Sequence, residues 1–217
     1  MIELQYLSLQ YPNGTLALDR VSATIKTGEF VIVTGPLGSG KTALLNAIAL
    51  ISPPTSGSLM INGKQMAGLA KGNIPYYRQS IGLIFQDNRL LETMTVLDNL
   101  AYPLQTFGFT KEEATLRAKT ALARVGLEQK TDHYPKDLSG GEQKMLCIAR
   151  AIINKPSIIL ADEPLLGLDT ASAKKIWTML KTISQVGITV IVATHLNALV
   201  KNSSDRLLRL NAGVLTE

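Results

Sequence analysis

The residues of this chain best suited to hold a polyphosphate are Gly35-Pro36-Leu37-Gly38-Ser39-Gly40-Lys41-Thr42. Glycines let successive backbone N–H groups turn inward, and a following helix adds partial positive charge at its N-terminus. In the pattern G-x-x-x-x-G-K-[ST] the lysine reaches the β- and γ-phosphates and the hydroxyl binds Mg²⁺. Those roles fall to Lys41 and Thr42. The stretch follows the apolar run Phe30-Val31-Ile32-Val33 and opens into Ala43-Leu44-Leu45-Asn46-Ala47-Ile48. A strand and a helix therefore flank it, which separates a phosphate loop from a glycine-rich turn that binds nothing.

Other polar residues close apolar runs. Asp162-Glu163 ends Ile158–Ala161, and adjacent acids at the end of a core strand are costly unless they are solvated or used. Beside a phosphate loop, Asp162 suits Mg²⁺, directly or through water, and Glu163 suits the polarising of an attacking water. Gln86 follows Ile81–Phe85, and His195 follows the run Ile188–Thr194. In an α/β sheet such strand ends lie on the ligand-binding edge, although a lone histidine there is more often structural. Tyr11 precedes the loop by a couple of strands. It could stack on a purine or pack on a half-buried strand, and spacing leaves both open. Leu138–Gln143, LSGGEQ, places Ser139, Gly140 and Gly141 before a helix, a second set of N–H groups with a hydroxyl.

The elements that must position these groups follow from periodicity. Residues 1–34 are β-rich, with a turn at Asn13-Gly14 and alternation over Val21–Ile25. The helix after Thr42 is expected to stop at Ser52-Pro53-Pro54, before a β segment at Ser58–Ile61. Residues 88–135 form a helical insertion. In it Thr110 and Glu113 make a capping box, Ala114, Ala118, Ala121, Leu122 and Val125 share an apolar face, and Gly126 ends the helix. Met145, Ile148, Ala149 and Ile152 form the apolar face of the helix after LSGGEQ, with Pro156 beyond its end. Asp169 N-caps a helix over Thr170–Val186, Gly187 closes it, and Leu207–Leu210 is a last strand.

Composition narrows the function classes. With 217 residues, 46% hydrophobic and 18% charged, the chain can bury a sizeable core. No apolar run approaches the roughly 20 residues that cross a bilayer. The start Met1-Ile2-Glu3 lacks a basic n-region, so no secretory leader is expected. Cys147 is the only cysteine, which excludes an internal disulfide, and it sits in an apolar helical pattern as a buried thiol would. The net charge of +5 is spread along the chain, seven Lys/Arg against six Asp/Glu over 1–110 and fifteen against eleven over 111–217. Without a basic stripe, nucleic-acid binding is not supported.

The order of phosphate loop, Gln86, LSGGEQ, Asp162-Glu163 and His195 resembles the nucleotide-binding domain of ABC transporters, over essentially the whole chain. The resemblance implies a P-loop α/β fold with a mixed, mainly parallel sheet, an N-terminal antiparallel β-subdomain and a helical insertion. It implies one domain, with a core over 1–86 and 156–217 and a helical subdomain with the signature over 87–155. It also implies an ATPase that forms a head-to-tail homodimer, each ATP lying between Gly35–Thr42, with Ala43, of one copy and Ser139, Gly140, Gly141 and Glu142 of the other. Carried over, Tyr11 stacks on adenine, and Lys41 holds phosphate. Thr42, Gln86 and Asp162 serve Mg²⁺, Gln86 also senses the γ-phosphate, and Glu163 is the catalytic base. Asp169 communicates across the dimer and His195 contacts the γ-phosphate. Ile74–Leu91, Thr95–Leu104 and Asn154–Pro164 are similar to the FtsE branch, cell-division ATPases that work with an FtsX-type membrane protein; lipoprotein-release and small efflux ATPases share much of this text. The resemblance implies a peripheral protein on the cytoplasmic face of the inner membrane, held by a membrane partner through roughly 87–107. Pro36, Lys144-Met145, Leu165-Leu166-Gly167 and Leu196 depart from the usual family residues.

Overall fold

The structure, a computed structural model, describes residues 1–195 and 205–216; Leu196 lies outside them. Its centre is a six-stranded sheet, β10-β9-β3-β8-β7-β6. These strands are β3 (Phe30–Thr34), β6 (Ile81–Ile84), β7 (Ile158–Asp162), β8 (Thr189–Thr194), β9 (Arg206–Asn211) and β10 (Val214–Thr216). All pairs are parallel except β9 with β10. Phe30 and Ile32 enter one core while Val31 and Val33 enter the other, so β3 is buried on both faces. That explains why the central strands are continuous apolar runs with no polar alternation.

One core lies between this sheet and an antiparallel sheet ordered β2-β1-β4-β5, made of β1 (Ile2–Gln10), β2 (Leu16–Ile25), β4 (Ser56–Ile61) and β5 (Lys64–Gln65). Helix α1 (Lys41–Ile48) fills the space between them. The other core is helical. Helices α5 (Gly140–Ile152) and α6 (Thr170–Gln185) pack against the opposite face of the large sheet, and α3 (Val96–Thr106) and α4 (Lys111–Val125) pack on each other and on α5. The expected α/β fold, with its N-terminal antiparallel sheet and helical insertion, is present.

Local chemistry sets the element ends. Thr110 and Glu113 form the expected capping box at α4, and Gly126 closes that helix in the left-handed region. Asp169 caps α6 by accepting from the Ala171 and Ser172 N–H groups. Helix α1 stops at Ile48, earlier than Ser52. The backbone turns out of the helix at Leu50, whose φ is 54°, and a helix invisible to simple periodicity, α2 (Ile74–Gln79), supplies side chains to the carbonyls at the end of α1. The Tyr77 hydroxyl donates to Ile48 O at 2.5 Å, and Arg78 donates to Ala49 O at 3.2 Å and Leu50 O at 2.7 Å. The tail after Leu210 also adds a strand, β10, that the sequence did not signal.

Helix α5 lies unusually close to β6 because the strand carries Gly82 there. A Cβ on Gly82 would overlap the Ala151 carbonyl. Gly82→Val should therefore cost about 1–3 kcal/mol of stability by chemical denaturation, the usual penalty of overpacking. Gly72→Ala, where a Cβ meets open space, should stay within about 0.5 kcal/mol of the native chain.

Candidate active site

Parallel register brings the polar strand ends together. Thr34 pairs with Thr194, Ala193 with Asp162, and Ala161 with Ile84. The segments that follow, at Gly35, His195, Glu163 and Phe85-Gln86, thus emerge on one sheet edge, where α/β sheets bind ligands. The phosphate loop leaves that edge and enters α1. Gly35 has no alternative there, since a Cβ would overlap the Leu210 carbonyl. Helix α1 has no side-chain cap and no acid in its first turn. Its first N–H groups are left for an anion, with the helix dipole behind them.

A cavity of about 380 Å³ opens over the loop. It is lined by Tyr11, Leu37, Gly38, Ser39, Gly40, Lys41, Thr42 and Ala43, and by Gln86, Glu163 and His195 across from them. Thr15, Leu16, Ala17 and Leu166 complete it. Gly35 and Pro36 reach this site through their carbonyls, which accept from Lys41 Nζ at 2.9 and 3.0 Å. Gln86, Thr42 and Asp162 also line an adjoining cavity of about 400 Å³.

Every charged group here is held. The Glu163 carboxylate is buried and accepts from Thr194 Oγ1 at 3.0 Å and from the His195 N–H at 3.0 Å. It lies 2.8 Å from His195 Nδ1 and 4.0 Å from Lys41 Nζ. The Glu163 backbone has a φ of 43°, a strained value for a non-glycine residue and one that recurs at functional sites. Thr42 Oγ1 donates to Asp162 Oδ2 at 2.7 Å, while Asp162 Oδ1 is buried with no hydrogen-bond partner. Ser39 Oγ is orphaned in the same way. Buried polar atoms are ordinarily satisfied, and these two orphans, Ser39 in the cavity over the loop and Asp162 in the adjoining one, offer unpaired oxygens that suit a bound ligand. Among the described residues no cluster of three His, Cys, Asp or Glu could hold a metal by itself. An ion that keeps its waters and takes one or two protein oxygens plus phosphate, as Mg²⁺ does, suits Thr42 and Asp162.

Ser139, Gly140, Gly141, Glu142 and Asp169 do not line the cavity over the phosphate loop. They sit together at the N-termini of α5 and α6, where a Cβ on Gly141 would press on Ser172, whose N–H Asp169 accepts. Ser139 and Glu142 form a reciprocal capping box. The Ser139 N–H and hydroxyl donate to the Glu142 carboxylate and lower its pKa.

Sequence reasoning missed Thr194, whose buried hydroxyl steadies Glu163, and Lys144, which is buried beside Gln86. A threonine just before a strand-end histidine and a lysine among the apolar positions of α5 were the available signals. The apolar face read from the sequence is buried at Met145, Ile148 and Ala149, with Ile152 half-buried. The Leu165 departure is a packing residue of the helical core, and Leu166 is exposed beside both cavities.

A phosphate loop on a parallel-sheet edge, with a buried glutamate and a half-open aspartate facing it, defines a P-loop nucleotide-binding domain. The chain belongs to the ABC transporter family, whose model matches residues 18–166, and it is an ATP-binding and ATP-hydrolysing subunit of that type. It is 40% identical over 215 residues to the cell division ATP-binding protein FtsE of Escherichia coli strain K12, covering 99% of this chain and 97% of that one. The methionine import ATP-binding protein MetN of Cupriavidus metallidurans is 39% identical, covering 100% of this chain and 64% of that one. A solved structure described as a dimeric post-hydrolysis state of the ATP-binding cassette MJ0796, bound to ADP and Pi, matches with a TM-score of 0.91 at 35% identity, covering 100% of this chain and 97% of that one.

Burial raises the Asp162 carboxyl above the ordinary aspartate range; Glu163 adds to the rise, while Thr42, Lys41 and Lys144 offset part of it. A carboxyl that binds its proton more tightly when folded stabilises the fold at acid pH and loses that contribution as pH rises through its raised pKa. Asp162→Asn should therefore melt a few degrees above the native chain at pH 7 without nucleotide. The advantage should vanish as pH falls toward 3.8, the ordinary value. Calorimetry at the two pH values checks this, and an Asn variant that melts lower at pH 7 contradicts it.

Proposed function

We propose that this chain is the ATPase of an FtsE–FtsX-like complex, turning ATP binding and hydrolysis into control of cell-wall hydrolysis at division. The observation that carries the ATPase assignment is the set Lys41, Thr42 and Glu163 around the cavity over the loop, with Asp162 bonded to Thr42 in the adjoining one and a buried unpaired oxygen on each of Asp162 and Ser39. The cell-division role is supported by the relatives named FtsE, matched over nearly the whole of both chains.

In this reading Gly35–Ala43 wraps the phosphates and Tyr11 stacks on adenine. Thr42, Gln86 and Asp162 hold Mg²⁺, which neutralises phosphate charge when bound. Glu163 polarises the attacking water, and His195 and Gln86 contact the γ-phosphate. Phosphoryl transfer to water needs positioning and charge stabilisation more than covalent chemistry, and these groups supply both. The segments over 1–86 and 156–217 form the ATP-binding core and 87–155 the helical subdomain. Ser139–Glu142 and Asp169, lying away from the cavity, complete the site of a second copy in a head-to-tail homodimer. That the 35% identical cassette is dimeric with ADP and Pi bound supports a dimer.

The membrane partner docks on 87–107. Leu91, Tyr102 and Phe107 are exposed there, and the buried Asn99 side chain fixes the segment by bonding Leu91, Met94 and Thr95. No helix among the described residues is long and apolar enough to cross a membrane, so attachment to the cytoplasmic face falls to the partner.

Glu163→Gln should lower kcat by about 10²–10⁴-fold, the span of a general base, and leave ATP-dependent dimerisation intact. Lys41→Ala should lose ATP binding and the dimer with it. Turnover and light scattering with and without ATP measure both; a Glu163→Gln chain that turns over normally overturns the assignment of the base. In cells, depletion should block septation, and a solute-uptake or efflux defect with normal septation would replace the division role by a transport one.

A further inference from the structure

The turn after β6 is bound almost entirely by one face of α5. Lys144 Nζ donates to Phe85 O at 3.2 Å and Gln86 O at 3.4 Å. Asn88 Nδ2 donates to Gln143 Oε1 at 3.3 Å, and Cys147 Sγ lies 3.5 Å from Asn88 O. Arg150 donates to Asn88 O at 2.6 Å and to Arg89 O at 2.5 Å. These four side chains are spaced to share one helix face. The turn they hold is strained, since Asn88 and Arg89 both have positive φ, 58° and 49°. Such a backbone persists only when its surroundings over-determine it.

Lys144 is the unusual member. It is 3% exposed, it donates to two neutral carbonyls, and among the described residues no carboxylate pairs with it within salt-bridge distance. A buried ammonium is costly, and a methionine would fill the same space on an apolar core face more cheaply. An ammonium recovers that cost here by fixing two successive carbonyls, those of Phe85 and Gln86. The Gln86 side chain lines both cavities, beside Thr42 and Asp162 in one and opposite Lys41 in the other.

We propose that Lys144 is a positioning residue for ATP hydrolysis: it clamps the main chain at Gln86 so that the Gln86 side chain enters the metal and phosphate site at a fixed height. The inference rests on the active-site reading of Gln86. Because α5 begins at Ser139-Gly140-Gly141, the same helix links that clamp to the residues assigned to the second copy's nucleotide.

The experiment compares Lys144→Met, Lys144→Gln, Gln86→Ala and the Lys144→Met/Gln86→Ala double variant in the full chain. Each is assayed for steady-state ATPase per titrated nucleotide site and for amide exchange over 85–89. Lys144→Met should lower kcat roughly tenfold at unchanged KM for ATP, since displacing a positioning group acts on the transition state. Exchange over 85–89 should quicken. Lys144→Gln, whose amide can still donate to one carbonyl, should recover part of the rate. The double variant should be no slower than Gln86→Ala, because both changes remove one function. A normal kcat per site in Lys144→Met, or losses that multiply in the double variant, overturns the proposal. If Lys144→Met does not fold, Lys144→Gln decides: native kcat and native exchange overturn it. If Gln86→Ala alone keeps full kcat, the reading of Gln86 fails and the inference falls with it, a result distinct from a silent Lys144 beside a damaging Gln86→Ala.

Discussion

Parallel register among β3, β8, β7 and β6 is the constraint on which the rest of the structure depends. Each strand is buried on both faces, so a slip of one residue would exchange its two apolar faces between two cores of different shape. The register is fixed by packing far from the site. Yet that same register sets Gly35, His195, Glu163 and Gln86 at one height on one edge. Four segments distant in sequence become neighbours with no direct bond needed to gather them.

What gathers there is a set of charges that would be costly if left alone. Glu163 is satisfied by Thr194 and His195, and Lys41 by two loop carbonyls. These donors are thus satisfied within the chain. The uncapped N-terminus of α1 and the unpaired oxygens of Asp162 and Ser39 are what the protein cannot satisfy internally. They match the needs of a metal-bound polyphosphate, which brings anionic oxygens for the first and hard-cation or water contacts for the others. Burial raises the Asp162 pKa, so keeping this carboxylate ionised in its half-open position works against stability.

The parts legible in the sequence were those where local pattern and tertiary role agree. The glycines before Lys41, the capping box at Thr110 and the Asp169 cap are short-range devices, and the structure shows each where its spacing puts it. Continuous apolar runs identified the central strands because both their faces are buried. What stayed hidden depends on distant partners. Helix α2 is short, with half of its residues exposed and none fully buried, and it bonds the end of α1. Lys144 reads as a polar interruption of an apolar face until β6 is placed beneath it. Thr194 reads as another strand residue until Glu163 turns back on its strained backbone to meet it.

Helix α5 then acquires a role that neither of its ends shows alone. Its first turn is closed by the Ser139–Glu142 box, which satisfies the Ser139 and Glu142 N–H groups and holds the two glycines between them in helical geometry. Its flank carries the clamp on residues 85–89, and its close approach at Gly82 leaves little freedom to slide over β6. In the proposed dimer, a rigid body of this kind would touch the nucleotide of the second copy at one end and the Gln86 turn of its own copy along its side. Movement at either nucleotide would then be felt at the other through a single helix, and at the segment 87–107, proposed to meet the membrane partner, whose start the clamp holds. If the proposed dimer interface has two arrangements, one stiff element of this kind would let both ATP sites and the partner respond together.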